Sequence, residues 1–115
     1  MKNIFELRLN SIPFEQIKKG VKTIEMRLYD EKRKQFKVGD VLIFKNRDNE
    51  VLTIKTEIIN IHLFKSFEEL YSQINKTKLG YLENEPAHPS DMEQYYSQQE
   101  QSNYGVVGIE IRVIN

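Results

Sequence analysis

An α+β fold of five or six strands with a few short helices is what this sequence predicts, and three observations carry it. Alternating apolar and polar residues recur in separate short segments, as half-buried strands require. The helix signals are brief, each a capping residue followed by only two turns of periodic apolar positions. The chain has 115 residues, enough for one domain over residues 1–115 that buries about two thirds of the surface its unfolded chain exposes.

Phe5, Leu7 and Leu9 alternate with Glu6, Arg8 and Asn10 to give a first strand. Ser11-Ile12-Pro13 then combines a capping hydroxyl with a proline that a first helical turn tolerates. Phe14, Ile17 and Val21 fall at helical spacing, and Gly20 suits the left-handed residue that closes a helix, so residues 12–19 should be helical. The next strand sends Ile24, Met26 and Leu28 to one face and Thr23, Glu25, Arg27 and Tyr29 to the other. Lys22 follows the closing turn directly, so alternation does not assign its face.

Glu31-Lys32-Arg33-Lys34 reads as a mobile charged loop, and Val38-Gly39-Asp40 as a turn into a strand, Val41 to Lys45, apolar on both faces. Arg47-Asp48-Asn49-Glu50 should turn a hairpin into a long strand from Val51 to about Ile61. Its faulty alternation predicts a bulge near Ile58-Ile59. Ser66-x-x-Glu69, Ser90-x-x-Glu93 and Ser97-x-x-Glu100 are capping signatures; the first opens a helix carrying Phe67, Leu70, Tyr71 and Ile74. Tyr81 to Pro89 reads as a surface connection, and Val107, Ile109, Ile111 and Val113 alternate as a final strand.

Composition excludes several function classes. No cysteine is present, which removes disulfides, thiolate catalysis and thiolate metal sites. His62 and His88 stand alone without metal-ligand spacing, and there is no glycine-rich phosphate loop or serine nucleophile motif, so neither metal nor cofactor is expected. No apolar run reaches transmembrane length and no signal segment is evident, which gives a cytoplasmic protein with no membrane partner as the expectation. Net charge is zero, yet residues 1–65 carry 14 Lys/Arg against 9 Asp/Glu, while residues 66–115 carry 3 against 8. One half can therefore present a basic face.

The strand from Thr23 to Tyr29 concentrates the candidate chemistry. An arginine fork such as Arg27 grips phosphate or carboxylate, and a carboxylate two residues away can pair with it or accept from a base or an attacking water. The bland alternative is a surface ion pair across one strand face. Tyr29 shares the Arg27 face and could stack a base. The loop cations Lys32, Arg33, Lys34 and Lys37 could steer a polyanion.

Phe14-x-x-Ile17-x-x-Gly20-x-Lys22-Thr23-x-Glu25-x-Arg27, then a basic loop and Val38-Gly39-Asp40-x-Leu42-x-Phe44, resembles the ASCH domain, a family of the PUA-like superfamily of small β-barrels. Tyr104-Gly105-Val106-Val107-Gly108-Ile109 resembles the helix-to-last-strand junction of some of its members. The resemblance implies a small mixed barrel with short helices packed over its openings. It also implies a cleft that binds RNA or a nucleotide through Lys22, Thr23, Glu25, Arg27, Tyr29 and Arg33, with a basic character, and no preference for DNA is inferable. One branch of the family hydrolyses acetylated cytidine with a lysine, a threonine and a glutamate, and a ribonuclease is a variant of that enzymatic reading. In that case Lys22 and Glu25 are the catalytic candidates, although Glu25 stands where that branch has its threonine and neither Glu68 nor Glu69 aligns securely with its glutamate. The oligomeric state and the physiological ligand are not legible.

Overall fold

A computed structural model describes residues 2–114. Five strands, β1 (Ile4–Leu9), β2 (Ile24–Leu28), β3 (Val41–Asn46), β4 (Asn49–Phe64) and β5 (Val106–Val113), form one sheet in the order β1-β3-β4-β5-β2. The pair β1–β3 is parallel; the other three pairs are antiparallel. The sheet curls into a half-barrel whose free edges are β1 and β2, the two strands on either side of the first helix in sequence. The register of β4 on β5 slips between Ile58 and Asn60, the bulge that the broken alternation predicts.

Helix α1 (Ser11–Lys18) buries Phe14 and Ile17 and ends where Gly20 takes φ +78°. Helix α2 (Phe67–Gln73) is capped by the Ser66 side chain, which accepts from the Glu69 amide. Its reciprocal bond differs from the predicted box, because Glu69 Oε1 accepts from the Lys65 amide instead. Helix α3 (Gln98–Tyr104) has the full Ser97/Glu100 capping box. The Ser90 signature is displaced: a 3-10 turn begins at Pro89, and the Asp91 carboxylate accepts from the His88 amide. Proline is already fixed near helical φ and lacks the amide a cap would satisfy, so it takes the first position.

The charged loop is also more ordered than its composition predicts. Residues Arg33–Gln35 form a 3-10 turn, with Arg33 bonded to Asp30 through both its backbone N and its guanidinium. The Gly-Asp turn has a structural reason. Buried Asp40 accepts from the amides of Asn3 and Lys37, tying the start of β1 to the turn that enters β3.

Two apolar clusters result. One fills the concave side of the half-barrel with Leu7, Leu9, Phe14, Leu42, Phe44 and Ile109 among others. The second lies against β2, where Ile24, Met26 and Leu28 meet Phe67, Leu70, Leu79 and Met92. Strand β2 is therefore covered on both faces, and all five of its residues are buried.

Candidate functional site

Alternation along β2 sends Glu25 and Arg27 away from the second cluster, toward the gap between the free edges β1 and β2. Both are buried, 5% and 9% exposed. The Arg27 Nε donates to Glu25 Oε2 at 2.9 Å, and Nη2 donates to the backbone carbonyl of Arg8 on β1, also at 2.9 Å. One guanidinium thus spans the gap that main-chain pairing leaves open. The expected alternative of a surface ion pair does not apply, since both partners are buried.

Lys22 joins them from outside the strand. Its backbone amide and that of Val21 both donate to the Gln16 carbonyl, at 3.1 and 2.9 Å, so the α1 closing turn and not strand alternation sets its direction. The ammonium, on a side chain 8% exposed, lies 3.2 Å from Glu25 Oε1. Glu25 is consequently held between two cations, one on each carboxylate oxygen. Burial alone pushes its carboxyl up, but Lys22 and Arg27 together overcome this and hold it below the usual carboxylate range. Burial likewise opposes the charge on Arg27, and Glu25 beside it, with help from Tyr96, outweighs that and holds the guanidinium above its usual value.

These three side chains sit at the floor of a pocket of about 310 Å³. Its near wall is the end of β1, with Arg8, Leu9 and Asn10, together with Pro13 and Gln16 of α1. Its far wall comes from the connection between α2 and α3, through Gly80, Tyr81, Tyr95 and Tyr96. Gln16 Nε2 donates to the Gly80 carbonyl at 2.9 Å, and Gly80 takes φ +106°, a conformation that favours glycine. The Tyr81 hydroxyl donates to Asp91 Oδ2 at 2.7 Å and is 2.8 Å from the Tyr71 hydroxyl. Burial first, then these hydrogen bonds, push the Tyr81 phenol well above its ordinary value. The Tyr96 ring stacks on buried Phe67, with centroids 5.7 Å apart.

The lining is of mixed sign rather than uniformly basic. Arg8, Lys22, Arg27 and Arg47 face Glu25, Glu85 and Asp91. Many cations of the basic first half are engaged elsewhere: Lys45 with Glu6, Arg8 with Glu50 and Arg33 with Asp30.

Of the residues singled out in the sequence, Lys22, Glu25 and Arg27 are brought together in this pocket. Thr23, Tyr29 and Arg33 are not among its lining residues. Thr23 bonds through its backbone to Lys78 and Ile111; Tyr29 packs partly buried against the first cluster. Glu68 is exposed, Glu69 is bonded at the α2 N-terminus, and neither reaches the pocket. Sequence reasoning missed Gln16, Tyr81, Tyr95, Tyr96 and Asp91. The only signal for them was a Tyr-Tyr pair inside an otherwise polar stretch. Among the described residues no three metal-ligating side chains converge, and His62 pairs with Glu110 at 2.9 Å.

The model of the ASCH domain family matches residues 7–115. This chain belongs to the ASCH domain family. Its α+β half-barrel with short helices is the small PUA-like fold of that family, for which RNA binding is the general proposal. Hypothetical protein PH0355, known from a crystal structure, is 33% identical, with a TM-score of 0.81 and coverage of 96% of this chain and 99% of that one. Protein PF0455 from Pyrococcus furiosus is 29% identical, with a TM-score of 0.70 over 100% of this chain and 99% of its own. An ASCH domain from Lactobacillus crispatus shares the fold at 14% identity, with a TM-score of 0.66 and coverage of 96% and 79%. No curated protein matches.

Proposed function

We propose that this ASCH domain binds single-stranded RNA or a nucleotide in the pocket between the free sheet edges, with Lys22, Glu25 and Arg27 as the recognition floor. The observation that carries this is the burial of two cations and one carboxylate at the base of one concavity. Such a set leaves a surplus positive charge away from water, which is unfavourable unless something compensates it. Lys22 offers donors beyond the one directed at Glu25, and Arg47 adds a cation at the rim. Tyr81, Tyr95 and Tyr96 supply rings at the wall against which a base can stack. At about 310 Å³ the pocket lies at the small end of ligand sites, suited to a single nucleotide unit. Thr23, Tyr29 and Arg33 lie outside the pocket lining, and Asp30 holds the Arg33 guanidinium at 2.8 Å, so the recognition floor is limited to Lys22, Glu25 and Arg27.

The hydrolase reading draws on the 3.2 Å approach of Lys22 to Glu25, a geometry fit for proton transfer. It is the weaker reading. A carboxylate held below its usual range is a poor general base, and no threonine or second family glutamate joins the pocket. Acetate release from acetylcytidine, abolished in Lys22→Ala, would restore it.

The binding reading is tested by fluorescence anisotropy with a labelled single-stranded RNA. Affinity should fall steeply as salt rises, and Arg27→Ala should weaken binding for all sequences alike. Binding that is absent at low ionic strength, or insensitive to salt, overturns it.

A further inference from the structure

The pocket floor carries more information than the sign of its ligand. Lys22, Glu25 and Arg27 are each at least nine-tenths buried and sum to a single positive charge. The rim charges Arg8, Arg47, Glu85 and Asp91 are all exposed, so water and salt screen them and they weigh little on the buried floor. The facing wall contributes the rings of Tyr81, Tyr95 and Tyr96. Deep in the site, then, one ligand charge is compensated and a second is not.

Resting on the nucleotide reading above, we infer that the pocket selects a monoanion: the internal phosphodiester of an RNA strand, rather than the dianionic terminal phosphate of a mononucleotide. The physical reason is the low polarisability of the floor. Charges a few ångströms apart interact several times more strongly there than in water. A monoanion beside Lys22 and Arg27 brings the floor to neutrality. A dianion brings it to net negative beside Glu25, whose carboxylate cannot move away because both of its oxygens are held by buried cations. A terminal phosphate can enter only by taking up a proton, and its second pKa is about 6. Discrimination between diester and monoester should therefore be large above that pH and fade below it.

The test is calorimetric titration at pH 8 and pH 5.5 with uridine, uridine 3′-monophosphate and uridylyl-uridine, alongside methyl phosphate and dimethyl phosphate. At pH 8 the dinucleotide should bind about tenfold or more tighter than the monophosphate, and the gap should close at pH 5.5. Lys22→Met keeps the balanced Glu25–Arg27 pair and removes the surplus charge, so the dinucleotide should lose its advantage over uridine. Glu25→Gln raises the surplus and should shift the preference toward the monophosphate; if it does not fold, Lys22→Met decides alone. A monophosphate that equals the dinucleotide at pH 8 overturns the inference and leaves nucleotide binding standing. The same charge rule seen with the methyl phosphates, without added affinity from uridine, supports the inference and removes the nucleotide reading. No binding by any of the five probes overturns both.

Discussion

Two carboxylates in this molecule are each flanked by a lysine and an arginine, and they have opposite consequences. Glu25 lies between Lys22 and Arg27 in the pocket floor, with all three buried. Glu57 lies on β4 between Arg112 and Lys2, whose side chains are 64% and 65% exposed. Both carboxyls are held below the usual range. In Glu57 the hydrogen bond from Arg112 leads, while in Glu25 burial pushes up and the two cations must overcome it. The same three residue types thus make an ordinary solvated ion pair at one site and a buried cluster with one surplus positive charge at the other. Solvent makes the difference: water and salt screen Lys2 and Arg112, whereas among the described residues Glu25 is the one carboxylate within ion-pair distance of the two buried cations Lys22 and Arg27.

The sharpest way to break this comparison is to delete one partner at each site. Arg27→Ala leaves a balanced Lys22–Glu25 pair but an orphaned Arg8 carbonyl and an unbridged gap between β1 and β2, and should cost about 1–3 kcal/mol in urea unfolding. Arg112→Ala should leave the urea midpoint nearly unchanged. Equal losses at the two sites would mean that burial is not what separates them.

Acid titration sharpens it next. The ordinary glutamate value is 4.5, and the folded Glu25 carboxyl lies below it. Between the two values the unfolded state binds the extra proton, so stability rises with pH through that window. The contribution is complete above about 4.5 and is lost as pH falls through the folded value. A urea midpoint followed from pH 6 to pH 3 should decline, and Lys22→Met should flatten that decline by removing one of the two cations that lower the carboxyl.

Binding should separate the sites more gently. Lys22→Met should reduce the salt slope for single-stranded RNA by about 0.7, one phosphate contact. Glu57→Gln, the smallest effect, should alter neither the slope nor the affinity in the same anisotropy titration.

Much of the fold was legible because short-range rules decide it. Pro13 lies in the first turn of α1 and Gly20 closes it, although Asn10 rather than Ser11 is the N-cap and the Ser11 hydroxyl turns to Asp48; the alternation of β2 separates Glu25 and Arg27 from Met26, and the faulty period at Ile58 marks a real bulge. The site was legible only in part. The direction of Lys22 depends on two amides converging on the Gln16 carbonyl, a turn geometry that alternation cannot describe. The far wall comes from residues 79–96, more than fifty positions from β2, in a stretch with weak periodicity, so Tyr81, Tyr95 and Tyr96 carried no local sign of facing a pocket. Arg33 illustrates the converse. Its position in a basic loop suggested an outward-facing cation, yet Asp30, three residues before it, holds its guanidinium at 2.8 Å. The pairs Lys45–Glu6, Arg8–Glu50 and Arg33–Asp30 all lie within the first half, so its net positive charge remains, but that charge is not gathered in the pocket.

The most direct measurement is backbone amide NMR of the protein titrated with a short single-stranded RNA at low salt. The pocket account predicts shifts concentrated at Lys22 to Arg27, at Gly80 and Tyr81, and at Tyr95 and Tyr96, reversed by added salt. Shifts confined to the β4–β5 face around Glu57 and Arg112, with the pocket amides unmoved, would contradict it.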